Sequence, residues 1–136
     1  SNISGNGTVW IIIENSISGG NKISLKEKLE KAAEAAYEKK ADNIVALDLR
    51  GFSTITDYFM ICSGQTERQV KAIVDNIRQK LNQNGIHVDH IEGYDQAQWV
   101  LLDYTDFIIH VFTSEKREYY SLERIWREAP VIIEKE

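Results

Sequence analysis

The chain has 136 residues, a length that fits one domain with its own hydrophobic core. Hydrophobic residues make up 43% and charged residues 27%, as in a soluble globular protein. The formal net charge of −5 argues against direct nucleic-acid binding and suits a basic protein partner. Cys62 is the only cysteine, which excludes an internal disulfide. With no membrane-spanning run and no recognisable signal peptide, we expect a cytoplasmic protein.

The composition divides the chain into three parts. Residues 1–23 are rich in Ser, Asn, Gly and Ile, which predicts a flexible N-terminal extension or a cloning remnant. Within them, residues 9–13 have high β-propensity and could add a strand, even to a neighbouring molecule. Residues 24–131 form the predicted domain, and residues 132–136 are predicted to be a C-terminal tail.

Two long helices are predicted, each beginning at a hydroxyl residue that can cap it. Ser24 begins a helix over residues 24–40, and Thr66 begins a helix over residues 66–84. In both, a Glu or Gln three residues later completes the capping-box pattern. Apolar residues recur at helical spacing, and Gly85 is placed to end the second helix.

Continuous apolar runs predict the first strands. Residues 44–49 and 58–63 are apolar at nearly every position, so each should be a strand buried on both faces. Residues 86–93 alternate apolar and polar side chains, which predicts an edge strand or an extended segment. Ser114 can begin a short last helix that ends at Pro130.

The segment from Trp99 to Phe112 predicts a β-hairpin inside a sheet covered on both faces. Two apolar runs flank a polar break, in which Asp103 and Asp106 can close the turn through side-chain hydrogen bonds to the backbone. Such a hairpin gives little reason for a large aromatic side chain at the start of a strand or a charge at its end. Trp99 and Asp103 are therefore the first candidates for function.

These elements predict an α/β (α+β) fold with the order α-β-β-α-β-β-β-α. The helices should cover the faces of a mixed sheet of about five strands.

A strand that leads through Ser63 and Gly64 into a helix resembles the opening of the nucleotidyltransferase fold. The close carboxylate pair that such enzymes use to hold magnesium is absent. An enzyme or nucleotide-binding protein that uses Asp48, Ser63 and Gly64 is therefore the alternative hypothesis. Asp48 can equally form an ion pair with Arg50.

Other candidate chemistry has simpler structural explanations. His87, Asp89 and His90 cannot converge on one metal ion from a regular strand, because His90 faces away from the other two. His110 lies among apolar residues and is predicted to be a hydrogen-bonded histidine within the sheet. Cys62 lies inside a strand, where a free cysteine behaves as a small hydrophobic residue. We expect no metal and no cofactor.

A series of short segments between residues 25 and 131 resembles a known family. These segments are Lys40–Gly51, Thr56–Gly64, Arg68–Val70, Ile91–Gly93, Trp99–Tyr104, His110–Phe112, Arg117–Tyr120, Leu122–Glu123 and Trp126. In this order they are similar to the ribosomal silencing factor family, also called RsfS or Iojap-like. Thr105 stands where that family usually has Gly in a Tyr-Gly-Asp turn.

The resemblance implies a nucleotidyltransferase-like fold without enzymatic activity. It implies a protein that binds the large ribosomal subunit through its fourteenth large-subunit protein, blocks joining of the small subunit and lowers translation when nutrients are short. The implied contact residues are Trp99, Leu101, Asp103 and Tyr104, with Asp103 as an acidic partner for a basic ribosomal protein. Exposed sheet edges also predict that the free chain can form a homodimer.

Overall fold

The computed structural model describes residues 2–3, 9–12, 24–51, 56–120 and 129–135. Within these ranges the helices are α1 (Leu25–Glu38), α2 (Glu67–Gln83) and α3 (Ser114–Tyr120). The strands are β1 (Asn2–Ile3), β2 (Val9–Ile12), β3 (Asp42–Asp48), β4 (Tyr58–Gly64), β5 (His90–Glu92), β6 (Trp99–Asp103), β7 (Phe107–Thr113) and β8 (Val131–Lys135). None of the described helices combines the length and the apolar character needed to cross a membrane.

The strands form one mixed sheet in the order β1-β2-β8-β3-β4-β7-β6-β5. Neighbouring strands are antiparallel, except that β4 and β7 run parallel. The predicted order α-β-β-α-β-β-β-α is confirmed from α1 to α3, because the five predicted strands are β3 to β7. The segment predicted as an edge strand, β5, lies at one edge of the sheet.

Both ends of the chain enlarge the sheet beyond the five predicted strands. Residues 131–135 form β8, which pairs with β3, so the prediction of a C-terminal tail over residues 132–136 is wrong for most of that segment. β2 pairs with β8, and β1 pairs with β2. The strand that residues 9–13 were predicted to add is β2, whereas β8 was not predicted. A short segment such as β8 gives little local signal when its partner β3 lies far away in the sequence. The predicted continuation of the last helix, residues 121–128, lies outside the described residues.

The two long helices pack on the same face of the sheet, and not on both faces as predicted. Their buried stripes and one sheet face form the main core cluster. Its members include Leu29, Ala33 and Ala36 from α1, Val70, Ile73 and Ile77 from α2, and Ile44, Met60, Val100 and Ile109 from the sheet. A smaller cluster lies on the opposite face and includes Leu47, Phe59, Ile61 and Phe112, with Trp99 packed against it.

Side-chain caps account for where the helices begin. Ser24 Oγ accepts a hydrogen bond from Glu27 N, and the Glu27 carboxylate accepts one from Ser24 N, so the predicted capping box is confirmed. At α2 only half of the predicted box forms. Thr66 Oγ1 accepts a hydrogen bond from Gln69 N, whereas Gln69 Oε1 accepts one from Gln65 N at 2.6 Å.

Candidate protein-binding face

β6 is fully buried on one face and half-buried on the other. Val100 and Leu102 are fully buried in the main core cluster. Because successive side chains of a strand point to opposite faces, Trp99, Leu101 and Asp103 lie together on the other face, where all three are half-buried. The prediction of a hairpin covered on both faces therefore holds fully for only one face of β6. Three of the four predicted contact residues share the half-buried face.

Trp99 is held in place by two neighbours on β7. Its ring stacks on Phe112 with the ring centroids 5.0 Å apart, and its indole Nε1 donates a hydrogen bond to His110 Nδ1 at 2.9 Å. The pairing of Trp99 with Phe112 and of Leu101 with His110 places these side chains on one face. An aromatic side chain that is already ordered loses little conformational entropy when a partner covers it.

His110 is the hydrogen-bonded sheet histidine that the sequence predicts. It is 6% exposed, and burial lowers its pKa to about 4. The imidazole is therefore neutral at physiological pH. Because Nδ1 accepts the Trp99 hydrogen bond, the ring proton of this neutral form lies on Nε2.

Asp103 ends β6 and also holds the turn that follows. Its Oδ1 accepts a hydrogen bond from Thr105 N at 2.8 Å, as predicted for this aspartate. Thr105 has a φ of +75°, in the left-handed region that favours Gly. The Thr105 hydroxyl donates a short hydrogen bond to the Asp89 carboxylate. The chain therefore builds the turn with a β-branched residue in a backbone conformation that costs free energy.

Replacing Thr105 tests this strain. The variants Thr105→Gly and Thr105→Ala both lose the hydroxyl, but only Gly adopts a positive φ without a steric penalty. We expect the Gly variant to be more stable than the Ala variant by about 1 kcal/mol in the free energy of unfolding. Chemical denaturation of the two variants measures the difference. An Ala variant as stable as the Gly variant would show that the turn is not strained.

Tyr104 is the one predicted contact residue that the structure places elsewhere. It is 7% exposed, belongs to the main core cluster and stacks on Phe107 with the ring centroids 4.9 Å apart. Its hydroxyl is buried and has no hydrogen-bond partner among the described residues. Tyr104 therefore packs on the helix side of the sheet and does not lie on one face with the other three predicted contact residues.

β5 adds two polar side chains that the sequence reasoning did not assign to the site. His90 pairs with Asp103 and Glu92 pairs with Leu101, so both lie on the same face as the β6 residues. Both are exposed, and His90 Nε2 lies 2.8 Å from Glu92 Oε2. Only the register between β5 and β6 reveals this placement. We call Trp99, Leu101, Asp103, His90 and Glu92 together the β5–β6 face.

The residues of the alternative enzyme hypothesis do not meet. β3 and β4 are antiparallel, with Asp48 opposite Tyr58 and Asp42 opposite Ser63. Asp48 and Ser63 therefore lie at opposite ends of the β3–β4 pair, roughly 17 Å apart along the strands at 3.3 Å per residue. Asp48 instead forms an ion pair with Arg50 at 2.7 Å, which lowers the pKa of its carboxyl group.

The turn after β4 is filled by a side chain of the protein itself. A Cβ atom added to Gly64 would lie 3.2 Å from both Cγ and Oε1 of Gln69. Gln69 also donates hydrogen bonds to the carbonyl oxygens of Lys39 and Lys40. The turn between β4 and α2 is therefore packed with a side chain of the protein itself.

The remaining candidate groups have partners of their own. His87 hydrogen-bonds to Asn82, and His90 to Glu92. Among the described residues, no three His, Cys, Asp or Glu side chains are grouped closely enough to hold a metal ion. Cys62 is fully buried, and burial raises the pKa of its thiol to about 12, so it has the character of a core residue and not of a nucleophile.

Known proteins match most of this chain. The family model described as "Ribosomal silencing factor during starvation" matches residues 22–136. The ribosomal silencing factor RsfS of Bacillus subtilis is 45% identical over 106 residues, which covers 78% of this chain and 90% of the relative. The RsfS of Halalkalibacterium halodurans is 43% identical over 110 residues, which covers 81% of this chain and 94% of the relative.

The fold matches as well as the sequence. A crystal structure of a protein from Chromobacterium violaceum superimposes with a TM-score of 0.74 at 30% identity, and the match covers 76% of this chain and 86% of that one. The region that the family model matches, residues 22–136, includes α1 to β8 and the β5–β6 face. The chain therefore belongs to the ribosomal silencing factor (RsfS) family.

Proposed function

We propose that this protein binds the large ribosomal subunit through its fourteenth large-subunit protein and blocks joining of the small subunit by steric hindrance. The observation that carries the proposal is the β5–β6 face, where an ordered aromatic side chain lies beside carboxylates on a partly exposed area of the sheet. Membership of the RsfS family supports a role on the ribosome. Blockade of this kind requires a surface and no catalytic residue.

The chemistry of the face suits a basic protein partner. Trp99 and Leu101 supply apolar area that a partner can bury, and Trp is among the residues that contribute most to binding energy at interfaces. Asp103 and Glu92 supply negative charge on the same face. Complementary charge fixes the orientation of a partner and speeds its association. The net charge of −5 acts in the same direction over longer distances.

Sedimentation of bacterial ribosomal subunits tests the proposal directly. Small and large subunits are mixed at a magnesium concentration that favours joined ribosomes, with and without the protein. We expect fewer joined ribosomes and the protein in the large-subunit fraction. An unchanged proportion of joined ribosomes, with the protein remaining at the top of the gradient, would contradict the proposal.

The charge of Asp103 can be tested apart from its role in the turn. Asp103→Asn keeps an oxygen that can accept the Thr105 hydrogen bond but removes the negative charge. We expect roughly fivefold weaker binding to large subunits and a weaker dependence of affinity on salt. Glu134→Gln is the control. Glu134 is an exposed residue on β8, and β3, β4 and β7 lie between β8 and β6. Equal losses in the two variants would contradict a specific contact at Asp103.

A further inference from the structure

The loop over residues 93–98 connects β5 to β6 and leads directly into Trp99. We propose that Gly93 and Tyr94 are positioning residues for Trp99 on the β5–β6 face. Gly93 acts through its close approach to the Trp99 backbone, and Tyr94 acts by fastening this loop to α2. The effect on Trp99 follows from the structure alone. The effect on ribosome binding rests on the proposed function.

Gly93 lies against the backbone of Trp99. A Cβ atom added to Gly93 would lie 2.2 Å from the carbonyl oxygen of Trp99 and 3.3 Å from its carbonyl carbon. Gly93 also has a φ of +81°, which side chains disfavour. A larger residue at this position must therefore push the first residue of β6 away from β5. Gly93 thus sets how closely the two strands approach at Trp99.

Tyr94 ties the same loop to α2. Its hydroxyl donates to the Asp75 carboxylate, with oxygen–oxygen distances of 2.9 and 3.1 Å, and the bond raises the pKa of the Tyr94 phenol. Lys71 Nζ lies 5.4 Å from the centre of the Tyr94 ring, within the range of a cation–π contact. Asp75 and Lys71 are four residues apart on α2 and hold the ring between them.

The end of the loop is fastened in the same way. Gln98 Nε2 donates to Glu67 Oε2 at 3.0 Å at the start of α2, and Gln98 O accepts a hydrogen bond from Thr113 N on β7. Between these points Ala97 is fully buried, has a φ of +56° and donates its N–H to Gly93 O at 2.9 Å. The residue before Trp99 is thus tied to both α2 and β7.

Together these contacts leave the first residue of β6 little freedom. The loop fixes the backbone of Trp99 from one side, and His110 and Phe112 fix its ring from the other. A side chain that is ordered before binding contributes more to the affinity, because no free energy is spent on ordering it when the partner binds. Loosening the loop should therefore weaken binding although no residue of the β5–β6 face has changed.

The variant Gly93→Ala tests the inference, with Gly85→Ala as its matched control. Gly85 has a similar φ of +75°, but a Cβ atom there meets nothing within 4 Å. Both variants carry the same kind of backbone penalty, and only Gly93→Ala collides with Trp99. The indole N–H signal of Trp99 is followed by NMR in uniformly ¹⁵N-labelled protein and assigned by its loss in Trp99→Phe. Hydrogen exchange of this N–H reports the bond to His110.

We expect Gly93→Ala to shift the Trp99 indole signal, speed its hydrogen exchange and weaken large-subunit binding about tenfold, with Gly85→Ala close to the wild type. A milder variant, Tyr94→Phe, keeps the ring but loses both contacts to Asp75, and should speed the exchange a few-fold. If Gly93→Ala does not fold, the result for Tyr94→Phe alone tests the inference. A Trp99 indole signal with the same position and exchange rate as in Gly85→Ala would overturn the inference. If the wild type does not bind large subunits, the proposed function fails, while the indole signal still tests the positioning of Trp99.

Discussion

Trp99→Glu is expected to lower the affinity for the large ribosomal subunit at least about a hundredfold while the domain stays folded. The half-buried indole is the largest apolar side chain on the β5–β6 face. A glutamate removes this surface and puts in its place a carboxylate, whose burial at the contact costs free energy. Co-sedimentation with purified large subunits measures the loss, and circular dichroism checks the fold.

Two control variants separate the role of the ring from effects of charge. Trp99→Phe keeps an aromatic ring but loses the hydrogen bond to His110, so it should retain most of the binding. Gln79→Glu adds the same charge at an exposed site on α2, away from the β5–β6 face, and should bind like the wild type. Co-sedimentation of Trp99→Glu at the wild-type level would contradict the proposed contact surface.

The second large effect expected is a loss of stability in acid that depends on His110. In the folded protein burial lowers its pKa from 6.5 to about 4, whereas in the unfolded chain it takes up a proton near pH 6.5. The stabilising contribution is therefore fully present above pH 6.5 and is lost as the pH falls from 6.5 to about 4. The shift corresponds to about 3 kcal/mol in the free energy of unfolding.

Denaturation at a series of pH values, with His110→Gln as the control, measures this effect. Glutamine does not titrate, so the difference in stability between the wild type and this variant should shrink as the pH falls through that window. Carboxylates that titrate in the same range affect both proteins equally and cancel in the comparison. A difference that stays constant from pH 7 to pH 4 would show that His110 is not held neutral. Protonation would also break the bond from Trp99, because Nδ1 could no longer accept it.

Local patterns in the sequence were enough to predict the elements from α1 to α3. The capping box at Ser24 and the apolar stripes of both long helices involve residues a few positions apart, so they act before any long-range contact forms. Strands β3, β4 and β7 were recognisable because they carry continuous apolar runs. β8 was missed because its place between β2 and β3 depends on pairing with residues far away in the chain.

The candidate site was predicted in part. Trp99, Leu101 and Asp103 lie on one face of β6, and the period of two in a strand requires that they do. Tyr104 falls on the other side, in the core, because the same alternation places it with Val100 and Leu102. Glu92 and His90 could not be assigned to the face before the register of β5 on β6 was known.

The sequence by itself determined the order of the elements from α1 to α3, the resemblance to the RsfS family and the candidate contact segment from Trp99 to Tyr104. Only the tertiary structure decided that α1 and α2 cover the same face of the sheet and leave Trp99 half-buried on the opposite face. It also decided that Gly93, Tyr94 and His110 hold Trp99 in place. Periodicity identifies which residues share a face, but which face stays open depends on packing between distant segments.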